Sequence, residues 1–505
     1  MDKGKGGKSE DFDSLTSAPI LPPDYSIPST RFPNRFSTRW NPPPRYSSVF
    51  GDPEEPIRPG ASHTEHEFSL QTGLFTSKTW VKLRILTRPS SVAHNVPKIF
   101  GGENVSGIVQ LILENSQAVH SIVISLKGRI VTSFSDIGYY TFLDHSCTLW
   151  DKSMGDPRAP GVGTKFDGKL TGDYELSFSF PFPTEVDISS GTVGKGKRVA
   201  RAALVCPTPQ TFLERDISAN VEYELVLQIT HGILRTVSKL KAPVIFIPQI
   251  TPDPPSPMRQ LAYSENAMLP GPEADIEGWT ALRTLEVRGV LEDSKPFDLH
   301  YTIYLATPLC YTRGTVIPCY LMISSQDTRS LDTFADPKSQ HVRLVRRVRF
   351  FEDPSKGIGQ SLSGKAPKVS EEIDEAEVAV WWVPPKDVPQ EPSNRRLEGE
   401  IHLSNDLVPS SDFLPFKVDY VVEVLPFRAS GVTYSATSHF RVKGDKSPEV
   451  ALSHPVTIAT FRAKGPVPTT FTERQKSSKA KKRQRDGEEK FQRMNEYGLN
   501  LGVSS

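Results

Sequence analysis

Cysteine is scarce in this chain: four residues in 505, Cys147, Cys206, Cys310 and Cys319, with no Cys-x-x-Cys pair. So few scattered thiols exclude a disulfide-stapled scaffold and point to a reduced, intracellular protein. Cys310 and Cys319 stand near enough in sequence to pair, but core thiols carried on strands are the expectation. Long apolar runs are missing too. Stretches such as PVIFIP (243–248) fall far short of the ~20 residues that a membrane-spanning helix needs, and the opening MDKGKGGKSEDFDS lacks the apolar segment of a signal peptide. The expectation is a cytoplasmic protein with at most peripheral membrane contact. Neither sign of charge dominates: 60 Lys and Arg against 59 Asp and Glu leave a net charge of +1. That excludes a global field favouring nucleic acid, and no nucleic-acid partner is expected.

Chemistry-bearing motifs are equally sparse. There is no Gly-x-Ser-x-Gly elbow and no His-Glu-x-x-His. GTVGKGKR (191–198) resembles a phosphate loop but places Arg198 where a magnesium-reaching hydroxyl belongs, and no helix pattern follows. It reads as a solvated loop between strands. HTEH (63–66) holds two imidazoles where zinc needs three or four ligands, so it reads as a mobile surface segment. No residue is nominated as catalytic, cofactor-binding or metal-ligating, and a non-enzyme without a cofactor is expected.

What the chain has is proline, 44 residues, concentrated at the start. Residues 1–60 are rich in Pro, Ser, Arg and Asp and hold too little apolar surface to offset the entropy of ordering. This arm carries two Pro-Pro-x-Tyr motifs, Pro22-Pro23-Asp24-Tyr25 and Pro43-Pro44-Arg45-Tyr46. Paired prolines hold polyproline II at little ordering cost and present flat apolar rings; the tyrosine fills a second pocket. WW domains read this pattern. About 17 residues lie between Tyr25 and Pro43, a flexible span on the order of 20–25 Å. Two neighbouring WW domains on one partner match that span, and such bivalency raises affinity by roughly 10²–10⁴. Phosphorylation of the adjacent Ser26, Ser47 or Ser48 would add charge beside the groove.

From Trp80 the pattern turns to period two, in WVKLRIL, GIVQLIL, SIVISLKGRIV, YELSFSF and VEYELVLQI. Short alternating segments bounded by Gly, Pro, Asn or Asp predict antiparallel strands with one buried face. Strand follows strand, which predicts a β-sandwich. Residues 248–278 are Pro-dense and aperiodic and read as a linker. Strands then resume, and SQDTRSLDTFADPKSQ (325–340) and 353–373 read as surface loops. VRLVRRVRF reads as a strand with one basic face, and Trp381 and Trp382 point to opposite faces. Two ordered matches suggest duplication: Gly102, Val105, Val109 and Leu111 with Gly314, Ile317, Leu321 and Ile323, then Val221, Tyr223, Leu225 and Leu227 with Val418, Tyr420, Val422 and Val424. The tail carries KAKKRQR, whose Lys479, Lys481, Lys482, Arg483 and Arg485 read as a nuclear signal or an anionic-headgroup patch.

Across roughly 67–465 the chain resembles the α-arrestins (arrestin-domain-containing proteins, the fungal arrestin-related trafficking adaptors). The resemblance rests on GGENVSGIVQLIL with Gly102, Glu103, Val105, Gly107 and Val109, on YELSFSFPFPTEVD, on ISANVEYELVLQITHG and on YTRGTVIPCYLMIS, in that order. It implies an all-β fold of two tandem arrestin-type, immunoglobulin-like β-sandwiches between disordered tails. The expected layout is a disordered arm at 1–60, a sandwich at 61–250, a linker at 251–278, a second sandwich at 279–465 and a basic, mostly disordered tail at 466–505. The resemblance also implies a scaffold that links cytosolic segments of transporters or receptors to a WW-domain HECT-type ubiquitin ligase for endocytosis, at the plasma membrane or endosomes. Family members more often carry these motifs after the second domain; here both precede the first. The alternative is an arrestin-fold endosomal sorting-coat subunit, like that of retromer, which recruits no ligase.

Overall fold

The computed structural model describes residues 63–474 apart from 73–77, 90–95, 133–138, 159–165, 191, 194–196, 199–203, 215–216, 233–235, 292–294, 355–367, 386–390, 428–430 and 444–446. Strands dominate it. Those before residue 248 pair only among themselves, in a ten-stranded and a two-stranded sheet. Those after 278 form sheets of seven, six and two strands. The expected all-β sandwich architecture is present.

The strand Asn104–Val131 organises the first half. Its opening part pairs with Lys78–Thr87 and Lys169–Pro181; its closing part pairs with Tyr139–Asp151 and Asn220–His231. GIVQLIL and SIVISLKGRIV, read as separate strands, are thus two arms of one strand. At the exposed Glu114, Asn115 and Ser116 the register slips, and burial passes from Val105, Gly107, Val109, Leu111 and Leu113 to Ile122, Ile124, Leu126 and Ile130. The phase of the alternation changes from odd to even, so each arm turns its apolar residues into the same core from a different layer. Phe182 lies flat on Phe246, with ring centroids 4.1 Å apart, and edge-on to Tyr223.

The two halves repeat this plan. Lys98–Phe100 pairs in parallel with the end of Thr236–Ile247, and Cys310–Thr312 pairs in parallel with the end of Leu452–Ala459. Each short strand is followed by a left-handed glycine, Gly102 at φ 84° and Gly314 at φ 76°, which turns the chain into the long strand behind it. The matched tyrosines are equivalent as well. Tyr223 donates its hydroxyl to the Pro209 carbonyl at 2.6 Å, and Tyr420 donates to Val408 at 2.7 Å. Burial pushes both phenols up, so they remain neutral donors. Replacing either tyrosine by phenylalanine strands a buried carbonyl, and the expected loss is ~1–3 kcal/mol by urea denaturation.

Several loop expectations are corrected. The 325–340 segment contains the helix Thr328–Phe334, capped by Asp327 and anchored by fully buried Leu331 and Phe334. The segment expected as a linker contains the helix Pro257–Glu265, capped by Ser256, started by Pro257 and stopped by Asn266 at φ 51°. That helix buries Arg259, which donates to the carbonyls of Thr307 and Gly278 and lies over the Trp279 ring. A buried guanidinium is not what an apolar-face search detects. HTEH is no free segment either: Thr64–Thr72 is a strand paired with Lys78–Thr87, and His66 bonds the Thr87 hydroxyl at 3.0 Å. GTVGKGKR includes a short hairpin, Thr192–Val193 with Lys197–Arg198, at a sheet edge. The second part of 353–373 reaches the strand Val369–Val378. All four cysteines are unpaired.

Candidate functional site: the cleft between the sandwiches

The two halves meet along the strand His341–Phe351, the VRLVRRVRF segment. As a strand between Val369–Val378 and Phe416–Leu425 it does present one basic face. Alternation sends Val342, Leu344 and Val348 into the core and puts Arg343, Arg347 and Arg349 on the opposite face, while Arg346 shares the parity of the core residues. The carboxylates that meet them come from both neighbours. Arg343 reaches Glu423 at 2.9 Å and Glu375 at 3.0 Å, and Arg347 reaches Glu423 at 2.8 Å.

Of the arginines on this strand, Arg346 reaches the first half. Its guanidinium forks onto Glu214 of the first half and holds Asp374 of its own half at 2.8 Å. Its side chain is 12% exposed, Glu214 19% and Asp374 23%. Burial alone would lower the Arg346 pKa; the two carboxylates outweigh it and hold the group above its ordinary value. Around this triad the contact is aromatic. Phe212 meets Phe416 with centroids 4.7 Å apart, and Phe142 meets Phe413 at 5.0 Å. Gln210, 1% exposed, donates to the Pro409 carbonyl at 2.9 Å. Thr460 clasps the connecting chain by donating to the carbonyl of Pro248 at 2.7 Å and accepting from the Ile250 amide at 2.9 Å.

Beside these contacts lies a cleft of about 1210 Å³, lined from the first half by Gly101, Thr184 and Gln210 and from the second by Arg349, Lys417 and Asp419. Lys417 pairs with Asp412 at 2.8 Å, and Arg349 pairs with Asp419. The volume exceeds the ~300–1,000 Å³ common for small ligands, and the lining sets side chains of both charge signs beside apolar surface. Such a cleft suits an extended polypeptide better than a compact apolar molecule.

Pro22, Pro23, Tyr25, Pro43, Pro44 and Tyr46, expected to dock WW domains, lie outside the described residues, as do Lys479, Lys481, Lys482, Arg483 and Arg485. The Arg346 triad was not legible: the basic face is formed by Arg343, Arg347 and Arg349, Arg346 lies on the other face, and Glu214 is 132 residues away with nothing local to mark it. Trp381 is buried and Trp382 half-exposed, as their alternation required. Among the described residues no helix is long and apolar enough to cross a membrane, and no group of three His, Cys, Asp or Glu could hold a metal ion. A scan of protein-family models matches none of them to this chain, and a search of curated proteins finds no match.

Proposed function

We propose that this protein is a non-catalytic trafficking adaptor of the α-arrestin kind, joining a membrane-protein cargo to a ubiquitin ligase that carries tandem WW domains. The observation that carries the reading is the pair of Pro-Pro-x-Tyr motifs, at Pro22, Pro23 and Tyr25 and at Pro43, Pro44 and Tyr46, in one proline-rich arm. A duplicated β-sandwich supports it as a platform, and the cleft between the halves, with both charge signs beside apolar surface, has the size to take a cytosolic segment of cargo. Ligand recognition by paired prolines costs little ordering entropy, and tethering two motifs multiplies modest single-site affinities.

The test is capture of the full chain on an array of single and tandem WW domains. With Tyr25→Ala and Tyr46→Ala combined, capture on tandem domains is expected to vanish. Each single change is expected to leave binding of a lone site, weaker by roughly 10²–10⁴ than the pair. Capture untouched by the double change would remove the ligase arm of the reading and leave the sorting-coat alternative.

A further inference from the structure

Outside the cleft, a second site is already occupied by the chain itself. After the last strand, Leu452–Ala459, residues 465–474 cross the outer face of the seven-stranded sheet without adding a strand. They reach Glu400, a carboxylate on the strand Asn394–His402 that is 1% exposed. Its partners are the Thr472 amide at 2.7 Å, the Phe471 amide at 3.2 Å and the Thr472 hydroxyl, with His402 Nε2 at 3.2 Å. His402 also bonds the Thr472 hydroxyl at 2.9 Å. Phe471 lies on Trp382, with centroids 6.0 Å apart, and Arg474 pairs with Glu377, itself 7% exposed. With the segment in place, a cavity of only about 20 Å³ remains between it and Tyr320, Pro318 and Trp279.

The two sides of this contact differ. Glu400 and Glu377 sit on paired strands, rigid and nearly inaccessible. The segment has no regular structure, and Val467, Thr470, Glu473 and Arg474 are exposed, so it belongs to the class of elements that open locally at small cost. When it lifts, Glu400 loses all its amide donors and Glu377 loses its cation. Those charge-assisted bonds are lost together, so the open slot favours recapture of a segment with the same groups.

We propose that this slot is a peptide-recognition site for an aromatic-Thr/Ser-x-Arg segment, filled in cis by residues 471–474 and open to a partner's segment of the same chemistry. The aromatic ring takes the Trp382 side, the next residue gives its amide and hydroxyl to Glu400, and the arginine two positions on pairs with Glu377. Tethering gives the resident segment an effective concentration in the millimolar range, so a free peptide competes only once the resident is weakened.

The test uses the full chain and a fluorescent peptide of residues 467–476, VPTTFTERQK, read by anisotropy. The chain carrying Phe471→Ala and Thr472→Val is expected to bind the peptide at least ~10-fold more tightly than the wild type does, because its slot is vacated. Adding Glu400→Gln is expected to weaken that binding at least ~10-fold, the scale of lost charge-assisted hydrogen bonds. Trp382→Leu, on the outer face, is expected to do the same and serves if Glu400→Gln folds poorly. A vacated chain that ignores the peptide at millimolar concentration overturns the proposal, as does binding indifferent to both slot substitutions. The WW-domain capture does not involve this slot, so either reading can fail alone.

Discussion

Replacing Gly107 by valine is expected to unfold the first sandwich. Gly107 lies in the first arm of Asn104–Val131, between Ile85 on one neighbour and Phe178 on the other. A Cβ there would stand 2.3 Å from the Arg84 carbonyl oxygen and 2.7 Å from the Phe178 ring. The ring can turn aside; the carbonyl belongs to a paired strand and cannot. Core overpacking ordinarily costs ~1–3 kcal/mol, and a backbone clash at a central strand belongs at or above the top of that range. Gly107→Ala with Phe178→Leu should therefore recover only part of the loss. Calorimetry on the full chain should show the first-half transition lowered or missing while the second persists. A stability within ~1 kcal/mol of wild type would refute the close-approach argument. The second half contains the same device: a Cβ on Gly289 would stand 2.3 Å from the Thr433 carbonyl and 2.8 Å from the Phe297 ring.

Cutting the Arg346 triad is expected to be the next most damaging change. Arg346→Ala takes away the cation that Glu214, 19% exposed, shares with Asp374. Breaking a buried pair from one side costs ~3–5 kcal/mol, because the orphaned charge retains its desolvation penalty. Glu214→Gln is expected to cost less, since Arg346 keeps Asp374 at 2.8 Å. Because Arg346 and Glu214 sit in different halves, the loss should also weaken their coupling, and the unfolding transitions of the two halves should move apart. Denaturant titration followed by calorimetry reads both effects. A loss below ~1 kcal/mol would place this contact with ordinary surface pairs.

Much of the fold was legible because strand periodicity is a local property. Val342, Leu344 and Val348 inward and Arg343, Arg347 and Arg349 on the opposite face follow from alternation alone, as do buried Trp381 and half-exposed Trp382. The repeat was legible because equivalent positions kept their residue types, down to two tyrosines with the same backbone bond. The helix Thr328–Phe334 was not, because seven residues with two apolar anchors make too short a pattern. Nor was the Glu400 slot, where a carboxylate in a strand reads as an outward solvated residue. Its amide donors come from residues 471 and 472, which return to it from about 70 positions away.

By itself the sequence determined the strand class, the buried face of most strands, the duplication and the presence of two Pro-Pro-x-Tyr motifs, all of which depend on neighbours a few residues apart or on repeated residue types. Tertiary structure alone decided that two predicted strands are one bent strand, that Arg346 ties the halves through Glu214, and that the chain's own Phe471 and Thr472 cover Glu400. The reason is range: hydrophobic alternation is written along the backbone, whereas the pairing of a buried charge depends on groups that only folding brings within 3 Å.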